Sequence, residues 1–194
     1  MLQELSLHIA DHLIQTHDID QSEKDIYVFG LETMFMYAAS FISTLFLAVL
    51  MKQPGECLVF MLLFHPLRSK AGGYHASTPL RCYLLSNSVA ALSLMFIKYL
   101  SGAAPVVSGV LLFTAAAIVI LILAPVEHEN KPLDPEERKV YGRRARIVLM
   151  TEACFCFLCG WLSWYIFFWS GAVAVTVEAI SMMVGLLAGD RARE

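Results

Sequence analysis

The chain has 194 residues, of which 58% are apolar and 16% charged, and its mean hydropathy is +0.63. A composition with so little polar surface excludes an ordinary soluble domain and predicts an integral membrane protein. The formal net charge of −3 argues against a nucleic-acid partner, because binding to phosphates requires a basic surface.

The first 21 residues predict an amphipathic helix. Its apolar face is formed by Leu2, Leu5, Ile9 and Leu13. The segment also carries acidic residues and has no continuous apolar core, so it does not have the pattern of a secretory signal. We expect this helix to lie along the inner leaflet of a membrane with its apolar face in the lipid.

Six apolar runs in residues 22–194 are candidate transmembrane helices. They are residues 31–51, 57–67, 80–100, 103–126, 147–169 and 171–188. Five are long enough to cross about 30 Å of hydrocarbon, and the second is either a span across thinned membrane or a re-entrant segment. The predicted fold is therefore an all-α integral membrane protein with about six transmembrane helices and an N-terminal interfacial helix, forming a single domain over residues 1–194.

The distribution of basic residues predicts the orientation of this domain. With six spans, twelve of the fourteen Lys and Arg residues fall on one side, and Lys52 and Lys98 on the other. By the positive-inside rule the basic side is cytoplasmic. We therefore expect a multi-pass protein of the cell membrane with both termini and the polar loops 68–80 and 127–146 in the cytoplasm.

The loop 68–80 and the start of the following span hold the main candidate site. Gly72 and Gly73 can adopt backbone conformations that are closed to other residues, so the chain can turn sharply here. Ser77 or Thr78 can cap the third span, with Pro79 in its first turn. Cys82 then lies near the positive end of that helix and beside Arg81. Both features favour the thiolate, which is the nucleophilic form of cysteine.

His75 is the candidate general base for this thiol. In a continuous helix, residues seven apart would be roughly 10 Å from each other along the axis, beyond the reach of about 3 Å needed for proton transfer. The glycines and Pro79 predict an interrupted helix, which would let His75 fold back toward Cys82. The alternative from the residues alone is a structural cysteine with an interfacial histidine.

The second polar loop runs from residue 127 to 146. Asp134 and Pro135 predict a cap and a first-turn proline for a short charged helix. This loop is either a solvated connector that carries positive-inside charge or a docking surface for a charged peptide.

Metal sites have weaker support in the sequence. His8 and His12 have the i, i+4 spacing of zinc proteases but lack the neighbouring glutamate of that motif. The remaining cysteines are interpreted as apolar filler; these are Cys57, Cys154, Cys156 and Cys159. No metal or cofactor is predicted, and a zinc-dependent membrane protease is an alternative.

Three polar residues within predicted spans have open roles. Glu152 and Glu178 are costly in a membrane unless they face the protein interior or water, so they predict a helix-packing contact or a polar cavity. Asn87 predicts a hydrogen bond between helices or a support for the site. A non-enzymatic peptide transporter or export helper that depends on the two glutamates is a second alternative.

Two segments resemble the accessory gene regulator B (AgrB) family of bacterial membrane peptidases. The first is R-S-K-A-G-G-Y-H-A-S-T-P-L-R-C at residues 68–82, and the second is A-P-V-E-H-E-N-K-P-L at residues 124–133. The likeness extends to chain length, span pattern and the order of the two loops. It implies a cysteine endopeptidase with His75 and Cys82 as catalytic residues.

The resemblance also implies a substrate and supporting residues. The substrate would be an AgrD-like propeptide, whose acidic tail is removed before the remainder is closed into a quorum-sensing thiolactone or lactone. The supporting or substrate-binding candidates are Arg68, Gly72, Gly73, Arg81, Asn130 and Lys131. Arg68 would bind the acidic tail or position a backbone carbonyl. The lipid bilayer and a second copy of the chain are the other predicted partners. The second copy is predicted because Trp161, Trp164 and Trp169 could pack a homodimer; the alternative is that they mark the interface belt of the membrane.

Overall fold

The computed structural model describes residues 2–16, 20–74, 76, 78–127 and 133–191. Within these ranges the chain forms seven α-helices and a short 3-10 turn, Gln21–Glu23, before the second helix. The helices are α1 (Leu2–Gln15), α2 (Lys24–Leu50), α3 (Pro54–Ala71), α4 (Pro79–Ala103), α5 (Val106–Leu123), α6 (Pro135–Trp161) and α7 (Tyr165–Arg191). The described residues thus confirm the predicted all-helical class.

Local sequence signals determine where several helices begin. Prolines in the first turn, where a missing amide costs no hydrogen bond, are Pro54, Pro79 and Pro135. Thr78 caps α4 by accepting a hydrogen bond from the Arg81 amide at 3.3 Å. Asp134 and Glu137 form a capping box at the start of α6. The predicted caps at Thr78 and Asp134 are therefore confirmed.

α7 is the central helix of the bundle and packs against α3, α4, α5 and α6. Its buried side chains belong to two apolar clusters. Trp169 lies in the cluster formed with α2, α3, α4 and α6. Val175 and Met182 lie in the second cluster, with the ends of α3 and α5 and the middle of α6. The second cluster supports the end of the bundle where the polar loops meet.

α1 packs along α2 through small residues. Ser6 and Ala10 are fully buried, and Asp11 forms an ion pair with Lys24. Leu5, from the predicted lipid-facing side, is 47% exposed. The N-terminal helix is thus confirmed as a helix, while its position on a membrane surface stays a prediction.

The predicted span 147–169 is wrong because a turn divides it. α6 ends at Trp161, Ser163 has a φ of 61°, and the Trp164 amide donates to the Cys159 carbonyl at 2.8 Å. α7 then begins at Tyr165. The apolar run continues through the turn, so hydropathy gives no sign of the break. The predicted span 171–188 is the later part of α7.

Other predicted boundaries also change. The run 57–67 is the middle of α3, an uninterrupted helix of 18 residues that continues through Pro66. The predicted loop 127–146 becomes helical from Pro135, and the short charged helix expected there is the first part of the 27-residue α6. The first span begins earlier, at Lys24, and the fourth is shorter, at Val106–Leu123. Of these limits, the start of α6 has a capping box, whereas the starts of α2, α3 and α5 have no side-chain cap.

Within the described ranges, four helical segments are long and apolar enough to cross a membrane. They are Gln21–Leu50, Pro79–Ala103, Val106–Leu123 and Tyr165–Ala188. α3 and α6 combine apolar stretches with charged ends. The segments are compatible with a membrane protein, and the count of six spans stays a prediction.

Candidate active site

The candidate site lies where the chain passes from α3 to α4. α3 ends at Ala71 and α4 begins at Pro79, so the helix interruption that the sequence predicts is confirmed. His75 and Ser77 lie outside the described residues, as do Asn130 and Lys131 of the second motif. The described residues therefore define the chain on either side of His75.

Gly72 and Gly73 have φ values of 79° and 130°, which favour glycine. A Cβ atom on Gly72 would overlap the carbonyl oxygen of Val126, and one on Gly73 would overlap the guanidinium of Arg68. Both positions therefore require glycine for their conformation and for lack of space. The predicted sharp turn is confirmed.

The two polar motifs meet at this turn. Gly72 forms a parallel bridge with Val126, and the Val126 amide donates to the Ala71 carbonyl at 2.8 Å. On the other side, a Cβ atom on Gly142 of α6 would lie 3.4 Å from Cδ of Pro125. The end of α3, the segment after α5 and the first half of α6 are thus held together.

Arg68 braces the loop from α3. Its guanidinium donates hydrogen bonds to the carbonyl oxygens of Gly72 and Tyr74, and Nη1 lies 3.9 Å from Oε1 of Glu178. Arg68 therefore binds two backbone carbonyls of its own loop, and both roles predicted for it in the site stay predictions. Arginine suits this task because its planar fork presents several donors in fixed directions.

α7 forms the surface on which the loop rests. The Tyr74 amide donates to the Ser181 carbonyl at 3.0 Å. A Cβ atom on Gly185 would lie 2.8 Å from both the Gly73 carbonyl carbon and the Tyr74 nitrogen. Glu178, Ser181 and Gly185 are spaced by three and four residues and so share one helical face. We call these three residues the α7 bed.

Cys82 lies in the first turn and a half of α4, just beyond the loop. Its amide donates to the Thr78 carbonyl at 3.0 Å, and its side chain is half-buried. Arg81 beside it is exposed. Cys82 is therefore a partly exposed residue near the N-terminus of α4.

The other cysteines have different surroundings. All five cysteines are free; Cys57, Cys156 and Cys159 are buried, and Cys154 is exposed on α6. Among the described residues no group of three or more His, Cys, Asp or Glu side chains is arranged to hold a metal ion. The buried thiols fit their interpretation as apolar filler.

Asn87 belongs to an interface between helices. Its side-chain amide bonds to Thr44 at 3.2 Å and to Ser40 at 3.4 Å, both on α2. Tyr83 of α4 bonds to Ser43 at 2.7 Å. The interhelical hydrogen bond predicted for Asn87 is confirmed, and these bonds hold the start of α4 against α2.

Glu152 and Glu178 are both almost completely buried, at 2% and 0% exposure. Their carboxylate oxygens have no hydrogen-bond partner among the described residues. Glu178 nevertheless has the nearby guanidinium of Arg68. The prediction that these acids face the protein interior is confirmed.

Sequence reasoning missed two members of the α7 bed, Ser181 and Gly185. Their signal was faint but present. Small residues four apart on a membrane helix often mark close approach of another chain segment, and Glu178 lies on the same face. The segment that approaches is the distant loop after α3, and no local pattern identifies it.

The described residues define a class of protein: an all-helical protein with helices long and apolar enough to cross a membrane, in which a partly exposed cysteine follows a glycine-rich loop braced by an arginine. The chain belongs to the accessory gene regulator B family, whose model matches residues 6–182. The family is membrane-associated, and membership implies a role in agr quorum sensing.

Two AgrB-like proteins of Clostridium perfringens are similar to the chain over most of its length. AgrB-like protein 2 of strain 13 is 24% identical over 185 residues, covering 93% of this chain and 86% of the relative. An AgrB-like protein of strain SM101 is 23% identical with the same coverage. No solved structure is significantly similar to the chain.

Proposed function

We propose that the protein is a membrane cysteine endopeptidase that removes the C-terminal tail of an AgrD-like propeptide, with Cys82 as nucleophile and His75 as base. The observation that carries the proposal is the frame around these residues. A half-buried thiol lies at the capped start of α4, directly after a loop that Arg68 and α7 hold in place. Such rigid support is what a nucleophile and its base require.

The first chemical step forms an acyl-enzyme. His75 accepts the Cys82 proton, and Sγ attacks the carbonyl carbon at the junction between signal and tail. A new carbon–sulfur bond forms and the peptide carbon–nitrogen bond breaks. The proton passes to the departing amine, which releases the tail and leaves the signal segment on Cys82 as a thioester.

The second step closes the ring. A thiol or hydroxyl of the bound signal segment attacks the thioester carbonyl, the bond to Cys82 breaks, and the Cys82 thiol regains its proton. Where the attacking group is a thiol, one thioester replaces another at nearly equal energy, so ring closure needs no ATP. Water must be kept out for this step to outpace hydrolysis, and a site recessed at the membrane interface would keep it out.

The propeptide, the bilayer and a second copy of the chain are the proposed partners. In the cell, the proposed location is the bacterial cell membrane, with both termini and the His75 loop facing the cytoplasm. For the homodimer, Trp161 and Trp164 are 78% and 55% exposed and available for packing. Trp169 is 1% exposed and belongs to the core of the bundle, so it is removed from the candidate dimer surface.

Replacing Cys82 tests the proposed function. In vesicles that contain purified protein and an AgrD-like propeptide, we expect Cys82→Ala to lower the rate of tail release by at least about 10³-fold, because the nucleophile is lost. Cys154→Ala, at an exposed cysteine on α6, is the matched control and should keep the wild-type rate. Tail release that persists in Cys82→Ala would show that another group attacks the peptide.

A further inference from the structure

We infer that Glu178 is a positioning residue, which acts through Arg68 to hold the loop that carries His75. The inference rests on the proposed peptidase function. It assigns to the last helix a role in the site that composition and spacing leave open.

The charges at this point require a partner for Arg68. The Arg68 side chain is 17% exposed and remains cationic under all ordinary conditions. A buried charge without a counter-charge is strongly destabilising. Glu178 is fully buried, and its Oε1 atom lies 3.9 Å from Nη1 of Arg68, so this carboxyl group is placed to act as the counter-charge.

The hydrogen bonds of Arg68 show what this pairing positions. Nη1 donates to the Gly72 carbonyl and Nη2 to the Tyr74 carbonyl. In the chain, Gly72 lies three residues before His75, and Tyr74 lies one residue before it. Because the guanidinium is rigid and planar, the orientation that Glu178 favours sets the positions of both carbonyls.

α7 holds the same loop at two further points. Ser181, three residues after Glu178, accepts a hydrogen bond from the Tyr74 amide at 3.0 Å. Gly185, one turn further, leaves room for the Gly73–Tyr74 peptide. One face of α7 therefore contacts this region in three ways. The Glu178 carboxyl group lies beside Arg68, the Ser181 carbonyl binds the Tyr74 amide, and Gly185 lets the backbone of the loop pack closely.

Glu152 provides a matched comparison. It is 2% exposed on α6, and its carboxylate lies within hydrogen-bonding distance of no described group. No described ion pair joins it to Arg68. Neutralising Glu152 removes a buried acid of the same kind without removing the counter-charge 3.9 Å from Arg68.

The experiment measures kcat and KM for tail release in reconstituted vesicles. We expect Glu178→Gln to lower kcat by about 10- to 100-fold, since small displacements of a catalytic group have effects of this size. KM should stay within about twofold, because the substrate does not contact Glu178 in this scheme. Glu152→Gln should keep kcat within about twofold of wild type.

A double-mutant cycle separates positioning from general damage. Arg68→Lys keeps the charge but loses the fork, so we expect it to lower kcat as well. If Glu178 acts through Arg68, the double variant R68K/E178Q should be no slower than R68K alone. Losses that multiply, or an equal loss in Glu152→Gln, would overturn the inference.

Hydrogen exchange gives a readout that does not depend on peptidase activity. The Tyr74 amide should exchange faster in Glu178→Gln than in wild type, while amides in the middle of α7 keep their protection. Unchanged exchange at Tyr74 would count against the inference. If Glu178→Gln does not fold, Glu178→Asp takes its place, and wild-type kcat with that shorter side chain would likewise overturn it.

The two proposals fail in different ways. Tail release that persists in Cys82→Ala is evidence against the peptidase mechanism. In that case, hydrogen exchange at the Tyr74 amide still tests the role of Glu178. Wild-type kcat in Glu178→Gln, in an enzyme that needs Cys82, is evidence against the positioning role alone.

Discussion

Gly73 has no room for a side chain in its present conformation. Residues with a Cβ atom rarely adopt its φ of 130°. Added atoms would also overlap the guanidinium of Arg68 and come within 3.0 Å of Oγ of Ser181. Any side chain here would therefore push the loop off Arg68 and α7 together.

Gly73→Ala should remove activity while the bundle remains folded. Backbone strain of about 1–3 kcal/mol and the overlap with Arg68 should shift the loop and lower the rate of tail release by at least about tenfold. Gly102→Ala is the control, because a Cβ there meets nothing within 4 Å. A wild-type rate in folded Gly73→Ala would show that the loop has another way to seat His75.

Two helix starts were predictable from local signals. Thr78-Pro79 and Asp134-Pro135 are such signals, since a cap bonds to an amide only three residues away, and both begin helices as predicted. The length of α6 was not predictable in the same way. The sequence predicts a short charged helix at its start, but that helix continues without a break into the apolar second half.

The capping box of α6 makes a measurable contribution to stability. Asp134→Ala removes the 2.7 Å hydrogen bond from the Glu137 amide to Oδ1. We expect it to lower the free energy of unfolding in detergent by about 1 kcal/mol, detected as a lower thermal midpoint. Asp134→Asn keeps an acceptor at the cap and should stay close to wild type. Equal losses in both variants would assign the effect to charge.

The site was predicted only where neighbours in sequence create it. The turn at Gly72-Gly73 and the cap before Cys82 follow from residue types within a few positions of each other. The contacts of Arg68 with Glu178 and of Tyr74 with Ser181 join segments more than 100 residues apart. Hydropathy indicates which segments form helices but not which segments pack against each other, so these contacts could not be predicted from one sequence.

The loops at the two ends of the bundle should face opposite sides of the membrane. Lys52 lies between α2 and α3, whereas Glu136 lies in the first turn of α6. By the positive-inside rule the end with the basic first half of α6 should face the cytoplasm. The two positions should therefore face opposite sides of the membrane.

Cysteine labelling in intact cells tests this orientation. In a background that carries both Cys82→Ala and Cys154→Ala, a membrane-impermeant thiol reagent should label Lys52→Cys in intact cells. Glu136→Cys should react only after the membrane is made permeable. The reverse pattern would place the Cys82 loop outside the cell, where a cytoplasmic propeptide cannot reach it.

The position of α7 in the chain has a consequence for biosynthesis. A ribosome makes the loop between α3 and α4 first, and it makes the α7 bed only after α4, α5 and α6. Domains fold as synthesis proceeds from the N-terminus, but this loop lacks its contacts with α7 until residues 178–185 have left the ribosome and entered the bundle. Under the proposed function, Cys82 is translated early but its site is completed late, so we expect an incomplete chain not to cut propeptide during its own insertion.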